Sequence, residues 1–392
     1  MRVGIFGGGQ LAQMLVQAAI SLGIEIVICA QDSDSPAARY TQHAVVGSWE
    51  DETVLTTFAR QCDLITLENE FIDASLLERV VALGTPVWPT PATVAVVQDK
   101  LWQKERLAAA GLAVPPFRSV TTPAEVLAAA QELGWPLVLK ARRNGYDGYG
   151  NAMLRGLADV EPAWERLTRG GSPLLVEAWV PFTRELAVMV TRRRDGATAV
   201  YPVVETVQHN HICHVVYAPA AIDPEMTERA TRLAVAAIQA VEGVGIFGVE
   251  MFALADGQVL INELAPRPHN SGHYTIEACV TSQFENHLRA VLDWPLGSTE
   301  MRAPAAVMVN LLGQRQGPID ARAITAALAV PGAHLHFYGK REERVGRKMG
   351  HVTALGATLA EAAMIARRAA ELVAMPVQDA AQVTVSDDTP AR

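Results

Sequence analysis

The chain of 392 residues is long enough for two or three domains rather than one core. Half of its residues are hydrophobic and 19% are charged, which excludes a disordered chain, while a formal net charge of −9 excludes a global basic field for nucleic acid or an anionic membrane. Any anionic ligand must therefore be met by local positive charge.

Met1 leads directly into a strand pattern, without the charged and apolar regions of a secretory leader, and no apolar run reaches the roughly 18 residues of a membrane span. The widely spaced Cys29, Cys62, Cys213 and Cys279 read as thiols of a reducing, cytoplasmic protein. Strand patterns at 3–7, 24–30, 43–47 and 63–70 alternate with helical ones, first from about Gln10 to Leu22, which predicts a parallel sheet of about 90 residues with helices on both faces. The Pro-rich stretch 86–91 marks a boundary.

Next come a single helix from Val94 to about Gly111, a helix from Pro123 to Leu133 and a buried strand at 136–141 that ends in Lys140-Ala141. A glycine-rich loop at 142–151, strands at 174–180 and 184–193 and a helix from about Glu225 to Val241 follow. Asp256-Gly257 then signals a two-residue type I′ hairpin turn, and a helix spans about Glu285 to Leu292. Beyond residue 296 lie short strands at 307–313 and 333–340, a basic loop at 340–351, an Ala-rich helix and a frayed tail. The units expected are 1–94, 95–296 and 297–392.

Gly7, Gly9 and Ala12, between a strand and a helix, match a dinucleotide fingerprint, with the acidic Asp32 about 20 residues on; they serve equally for any anion at a helix N-terminus. The hairpin carries more specific chemistry. With Asp256 and Gly257 as its central residues, Glu250 faces Glu263 on one sheet face, where like charges repel unless a cation lies between them; such paired oxygens suit Mg²⁺. Asn262 falls on the opposite face by strand parity. Lys140, Arg142 and the loop glycines Gly145, Gly148 and Gly150 suit a phosphate beneath a mobile cover. Glu68 and Glu70 share a face by period two at the C-terminal end of their strand, where open α/β sheets bind ligands. His209, His211 and Cys213, placed on one strand face, offer a zinc reading that lacks a second ligand cluster.

Lys100, K-A-R-R-N-G-Y-D-G-Y-G-N at 140–151, E-A-W-V at 177–180, Glu185, Glu250 and I-N-E-L-A-P-R-P-H-N-S-G-H at 261–273 occur in the order found in ATP-grasp ligases. With the N-terminal G-G-G-Q-L, T-L-E-N-E at 66–70 and G-R-K-M-G-H at 346–351, the chain most closely resembles the 5-(carboxyamino)imidazole ribonucleotide synthases among them, over nearly its whole length. The resemblance implies an ATP-grasp fold of mixed α/β and α+β class, with an N-terminal Rossmann-like parallel sheet and a small C-terminal β-rich domain, and it displaces the dinucleotide reading. The implied activity joins ATP, bicarbonate and 5-aminoimidazole ribonucleotide through carboxyphosphate in purine biosynthesis. Formate-dependent glycinamide ribonucleotide transformylation is the alternative within the superfamily.

Residue by residue, the resemblance places ATP at Lys100, Lys140, the lid residues Gly145, Tyr146, Asp147, Gly148, Tyr149, Gly150 and Asn151, the adenine segment Glu177, Ala178, Trp179 and Val180, Glu185 on the ribose, Gln208, Asn262 and Glu263. Two Mg²⁺ ions would sit at Glu250 and Glu263. Tyr146, Asp147, Arg142, Arg267 and Lys348 would act on the reacting groups. The ribonucleotide would meet Gly8, Gly9, Gln10, Glu68 or Glu70, Arg267, His269, Asn270, Ser271, His273, Lys340, Arg347 and Lys348. Tyr149 stands where many relatives carry a lid Arg, and Gln208 where many carry His. The resemblance further implies a homodimer, with neither nucleic acid nor membrane as partner.

Overall fold

The structure, a computed structural model, describes residues 1–145, 150–209, 211–317 and 321–374. Its first sheet holds the parallel strands β1 (Arg2–Phe6), β2 (Glu25–Ala30), β3 (His43–Val46) and β4 (Leu64–Leu67), in the order β3-β2-β1-β4. Apolar residues of β1, β2 and β4 are buried on both faces, as a helix-covered parallel sheet requires. Helix Gln10–Ser21 covers one face together with Phe284, Leu288 and Val291 from the distant helix Gln283–Val291; helices Glu52–Arg60 and Ala74–Ala82 cover the other.

A second, antiparallel sheet joins β5 (Phe117–Val120), β6 (Leu137–Ala141), β7 (Asn151–Leu154) and β8 (Leu174–Ala178) in the order β5-β8-β6-β7. Helices Pro123–Leu133 and Val160–Thr168 bury Val126, Ala129, Ala163 and Leu167 against it. Asn151, expected in the glycine-rich loop, is the first residue of β7 and pairs with Lys140.

The third sheet is the largest. It contains β9 (Phe182–Arg192), β10 (Thr198–Val200), β11 (Val204–His209), β12 (Ile212–Ala218), β13 (Gly245–Leu254), β14 (Val259–Ala265), β15 (Ala305–Leu312), β16 (Ala333–Phe337) and β17 (Lys348–Gly356). The order is β14-β13-β9-β11-β12-β15-β17-β16, with β10 on β9. The β12–β15 ladder, from Val215↔Val309 to Ala218↔Ala306, carries this sheet across residue 296, so strands on either side of it form one surface. β17 begins at Lys348, inside the stretch expected to be a basic loop.

The helix expected from Val94 to Gly111 is two helices, Pro91–Gln98 and Lys100–Ala109, broken at Asp99. Asp99 leaves helical geometry and its carboxylate accepts from Leu101 N and Trp102 N, the role in which Asp is favoured at a helix start.

The hairpin between β13 and β14 differs from expectation in two places that cancel. Leu254 N donates to Gln258 O and Gly257 has φ +83°, so the connection is the three residues Ala255 to Gly257 rather than two. This shifts the pairing by one, to Ala253↔Val259 and Met251↔Ile261; a bulge at Asn262 shifts it back, leaving Glu250 opposite Glu263. The bulge also removes Asn262 from strand parity, and its side chain reaches Lys140 instead of the opposite face.

Candidate active site

Helix Lys100–Ala109, β6, β8 and β14 bring their charged residues to one place. The Lys100 ammonium pairs with Glu263 Oε2, and Lys140 Nζ lies 2.9 Å from Glu177 Oε2 and 3.3 Å from Asn262 Oδ1. A residue that the sequence reading missed completes the group: Lys104 Nζ is 3.2 Å from Glu177 Oε1 and donates to Asn262 O at 3.2 Å. The available signal was its position one helical turn beyond Lys100. Lys104 is 2% exposed; burial, reinforced by Lys140 and Lys100 against the pull of Glu177, lowers it to about 8. Burial opposes ionisation of Glu177, but Lys104 and Lys140 outweigh it and hold the carboxyl below its ordinary value.

Across the hairpin, Glu250 Oε1 lies 3.1 Å from His269 Nε2, and His269 Nδ1 is 2.7 Å from Ser271 Oγ. Burial and then Glu250 push Glu185 up to about 7, with Gln208 hydrogen-bonded to it. Burial would raise Glu263, yet Lys100, Lys140 and His269 keep it low. The donor set of two facing carboxylates with the Asn262 amide beside them fits Mg²⁺. Among the described residues no group of three or more His, Cys, Asp or Glu could hold a metal unaided.

Glu70, Lys100, Arg142, Arg143, Gly145 and Glu263 line a common cleft. Arg142 is clasped by Asp99, with Nε to Oδ1 at 2.9 Å and Nη2 to Oδ2 at 2.7 Å. β4 ends at Leu67, so the expected shared strand face of Glu68 and Glu70 does not exist and the two part company. Glu70 takes the Arg267 guanidinium on both oxygens. Glu68 accepts from Gly9 N at 2.8 Å and Ala12 N at 3.1 Å, filling the anion position at the start of helix Gln10–Ser21. A Cβ on Gly9 would lie 2.7 Å from Glu68 Oε1. An internal carboxylate thus occupies the place where a dinucleotide pyrophosphate would sit. Of the expected ligand residues there, Gly8 packs against Ser35 and Gln10 opens the helix.

The segment following β14 crosses the third sheet in register. Asn310, His351 and His336 form one row across β15, β17 and β16. Asn270 exchanges amide hydrogen bonds with Asn310, at 2.9 and 2.6 Å; His273 packs 5.0 Å from His351, centroid to centroid; Glu277 Oε1 lies 2.6 Å from His336 Nε2. His273, expected to line the substrate site, is 1% exposed and held 3.1 Å from Gln283 Nε2, so it is packed inside rather than open to a ligand. Burial keeps it neutral, well below its ordinary value. Lys340 Nζ donates to Lys348 O at 2.6 Å, whereas Arg347 turns to Glu342 O at 3.1 Å. Asn310, Gln283 and Tyr338, whose hydroxyl lies 2.9 Å from His351 Nδ1, also escaped the sequence reading.

In the expected adenine segment, the N–H groups of Ala178 and Trp179 bond Pro116 O and Pro136 O, and Val180 O accepts from Phe182 N, so an adenine edge would use its remaining groups. Tyr146, Asp147, Gly148 and Tyr149 lie outside the described residues. The zinc reading fails on geometry: His209 ends β11, His211 has φ +63° beyond it and Cys213 lies in β12, on the two arms of a hairpin. None of the four cysteines forms a disulfide. Among the described residues no helix is long and apolar enough to cross a membrane.

Three family models match the chain: a ribonucleotide synthetase preATP-grasp domain at residues 1–98, an ATP-grasp domain at 105–284 and a phosphoribosylaminoimidazole carboxylase C-terminal domain at 306–364. The N5-carboxyaminoimidazole ribonucleotide synthase of Synechococcus elongatus is 43% identical over 354 residues, covering 90% of this chain and 88% of the relative. The synthase of the same name from Mycobacterium tuberculosis H37Rv is 43% identical over 363 residues, covering 92% and 84%. Carboxyaminoimidazole ribonucleotide synthase from Aspergillus clavatus, solved with ATP, superposes with a TM-score of 0.88 at 38% identity, covering 95% of this chain and 98% of that one. Its complex with ADP and 5-aminoimidazole ribonucleotide gives the same values.

Proposed function

The chain belongs to the N5-carboxyaminoimidazole ribonucleotide synthase family of ATP-grasp enzymes, and we propose that its site runs that reaction with bicarbonate as carbon source and Mg²⁺ at Glu250 and Glu263. It is an ATP-dependent ligase that carboxylates 5-aminoimidazole ribonucleotide in purine biosynthesis. The observation that carries the site assignment is the facing pair Glu250 and Glu263, set beside Lys100, Lys140 and Asn262.

Bicarbonate is a weak electrophile. Phosphoryl transfer from ATP turns one of its oxygens into a phosphate leaving group, and the carboxyphosphate so formed delivers CO₂ to the substrate amine. Lys100 and Lys140 are placed to offset charge on the transferring phosphoryl group, to which bound Mg²⁺ adds Lewis-acid stabilisation. Glu185 accepts from the ribose hydroxyls. Carboxyphosphate hydrolyses readily, so segment 144–151 is assigned the task of excluding water, with Tyr146 and Asp147 acting from it. Arg142, held by Asp99, and Arg267, held by Glu70, are the guanidinium groups we assign to bicarbonate and the ribonucleotide. Lys340 and Lys348 are assigned to the substrate phosphate.

We assign these tasks to units 1–94, 95–296 and 297–392 of a cytoplasmic homodimer, a state that light scattering checks. Phosphate release measured with bicarbonate and 5-aminoimidazole ribonucleotide omitted in turn tests the reaction. Release should require both. Stimulation by formate with glycinamide ribonucleotide would instead select the transformylase reading.

A further inference from the structure

Lys100, Lys104 and Lys140 share one small region with two carboxylates, Glu177 and Glu263. Lys100 is matched by Glu263. Glu177, at 2% exposure, is bracketed by Lys104 on Oε1 and Lys140 on Oε2, so one carboxylate faces two ammonium groups. Lys104, Lys140 and Glu177 together therefore carry one positive charge in excess. Lys104 is the deeper of the two, and it also donates to Asn262 O, the residue at which the ladder register shifts. Lys140 turns to the Asn262 side chain.

We propose that Lys104 is a positioning residue for nucleotide binding: by sharing the charge of Glu177 it leaves Lys140 with positive charge to offer to ATP phosphates, and by holding Asn262 O it fixes the bulge that aligns Glu263. Without Lys104, Glu177 and Lys140 would neutralise each other one to one and the surplus would vanish. Phosphate recognition then weakens even though Lys104 need not touch the nucleotide. This rests on the ATP-binding assignment above and concerns a residue outside it.

The test measures ATP affinity by calorimetry without acceptor substrates, together with steady-state KM values. Lys104→Met should weaken ATP binding and raise its KM by about tenfold or more, the size of a lost charge-assisted hydrogen bond, with the KM for ribonucleotide within about twofold. Lys104→Met combined with Glu177→Gln removes one charge of each sign, frees Lys140 and should recover most of the lost affinity. Glu177→Gln alone, which leaves in place the backbone that the adenine segment would offer, should bind ATP at least as tightly as the parent. Unchanged ATP affinity in Lys104→Met, or no recovery in the double variant, would overturn the proposal. If Lys104→Met does not fold, the single Glu177→Gln variant decides: weakened ATP binding there overturns it. A parent protein that binds ATP but releases no phosphate with both acceptors would refute the reaction and leave this proposal standing.

Discussion

Arg267 Nη2 donates to Glu70 Oε1 at 2.7 Å while Nε bonds Oε2, a forked pair between residues 197 apart that ties the loop after β4 to the loop after β14. Glu70→Ala would leave a largely buried guanidinium without its partner. We expect a loss of about 3 kcal/mol, the low end for broken buried pairs because both side chains keep some exposure. Urea unfolding checks this. Burial would raise the Glu70 carboxyl, but Arg267 outweighs it and holds it below its ordinary value. The contribution of Glu70 is then full above its unfolded pKa of about 4.3 and fades as pH falls through the lower folded value. Glu70→Ala should flatten that part of the acid limb.

Glu263→Gln keeps the size of the side chain and removes the charge that Glu250 faces across the ladder. Turnover should fall by at least about a thousandfold, since charge stabilisation at a transferring phosphoryl group is worth several kcal/mol. Circular dichroism should be unchanged. A variant with near-normal rates would remove the two-carboxylate metal site from consideration.

Glu185, raised to about 7 by burial and then by Glu250, accepts from ribose hydroxyls more strongly when ionised. ATP affinity should therefore rise, by at most about tenfold, between pH 6 and pH 8, and Glu185→Gln should abolish that dependence. For folding the sign is opposite. The stability linked to this proton is full below about pH 4.3 and is lost as pH rises through about 7. Calorimetric titrations at the two pH values follow the first effect, and thermal melts follow the second.

Lys348 opens β17, with its carbonyl accepting from Lys340. Lys348→Ala should raise the KM for ribonucleotide about tenfold, the scale of one charge-assisted contact, and the KM for ATP far less. Equal effects on both would contradict the placement of the C-terminal strands at the acceptor side.

Much of this fold is legible in the pattern of residues. The apolar runs of β1, β2 and β4 and the caps before the helices at Pro123 and Pro224 lie where local chemistry puts them. The facing carboxylates are legible too, but only because two offsets cancel: a left-handed Gly257 lengthens the turn by one residue and the Asn262 bulge restores the count. Bulges depend on tertiary neighbours, here the lysines that satisfy Asn262, and no local signal announces them. The same holds for Lys104, which reads as an ordinary helix lysine until β8 supplies Glu177. Glu68 reads as a ligand residue because it stands at the C-terminal end of a strand pattern in an open α/β sheet; the helix N-terminus then claims the carboxylate for itself.

The seam at 270–277 joins two periodicities. Residues 270, 273 and 277, three and then four positions apart as in a helix, each meet a different strand of one row: Asn310, His351 and His336. Its length is therefore quantised. One residue inserted between 270 and 277 turns the later partner about 100° around the segment axis and separates Glu277 from His336. Strand substitutions in the row can be answered locally by their immediate neighbours, whereas a change of length in this segment has no local remedy.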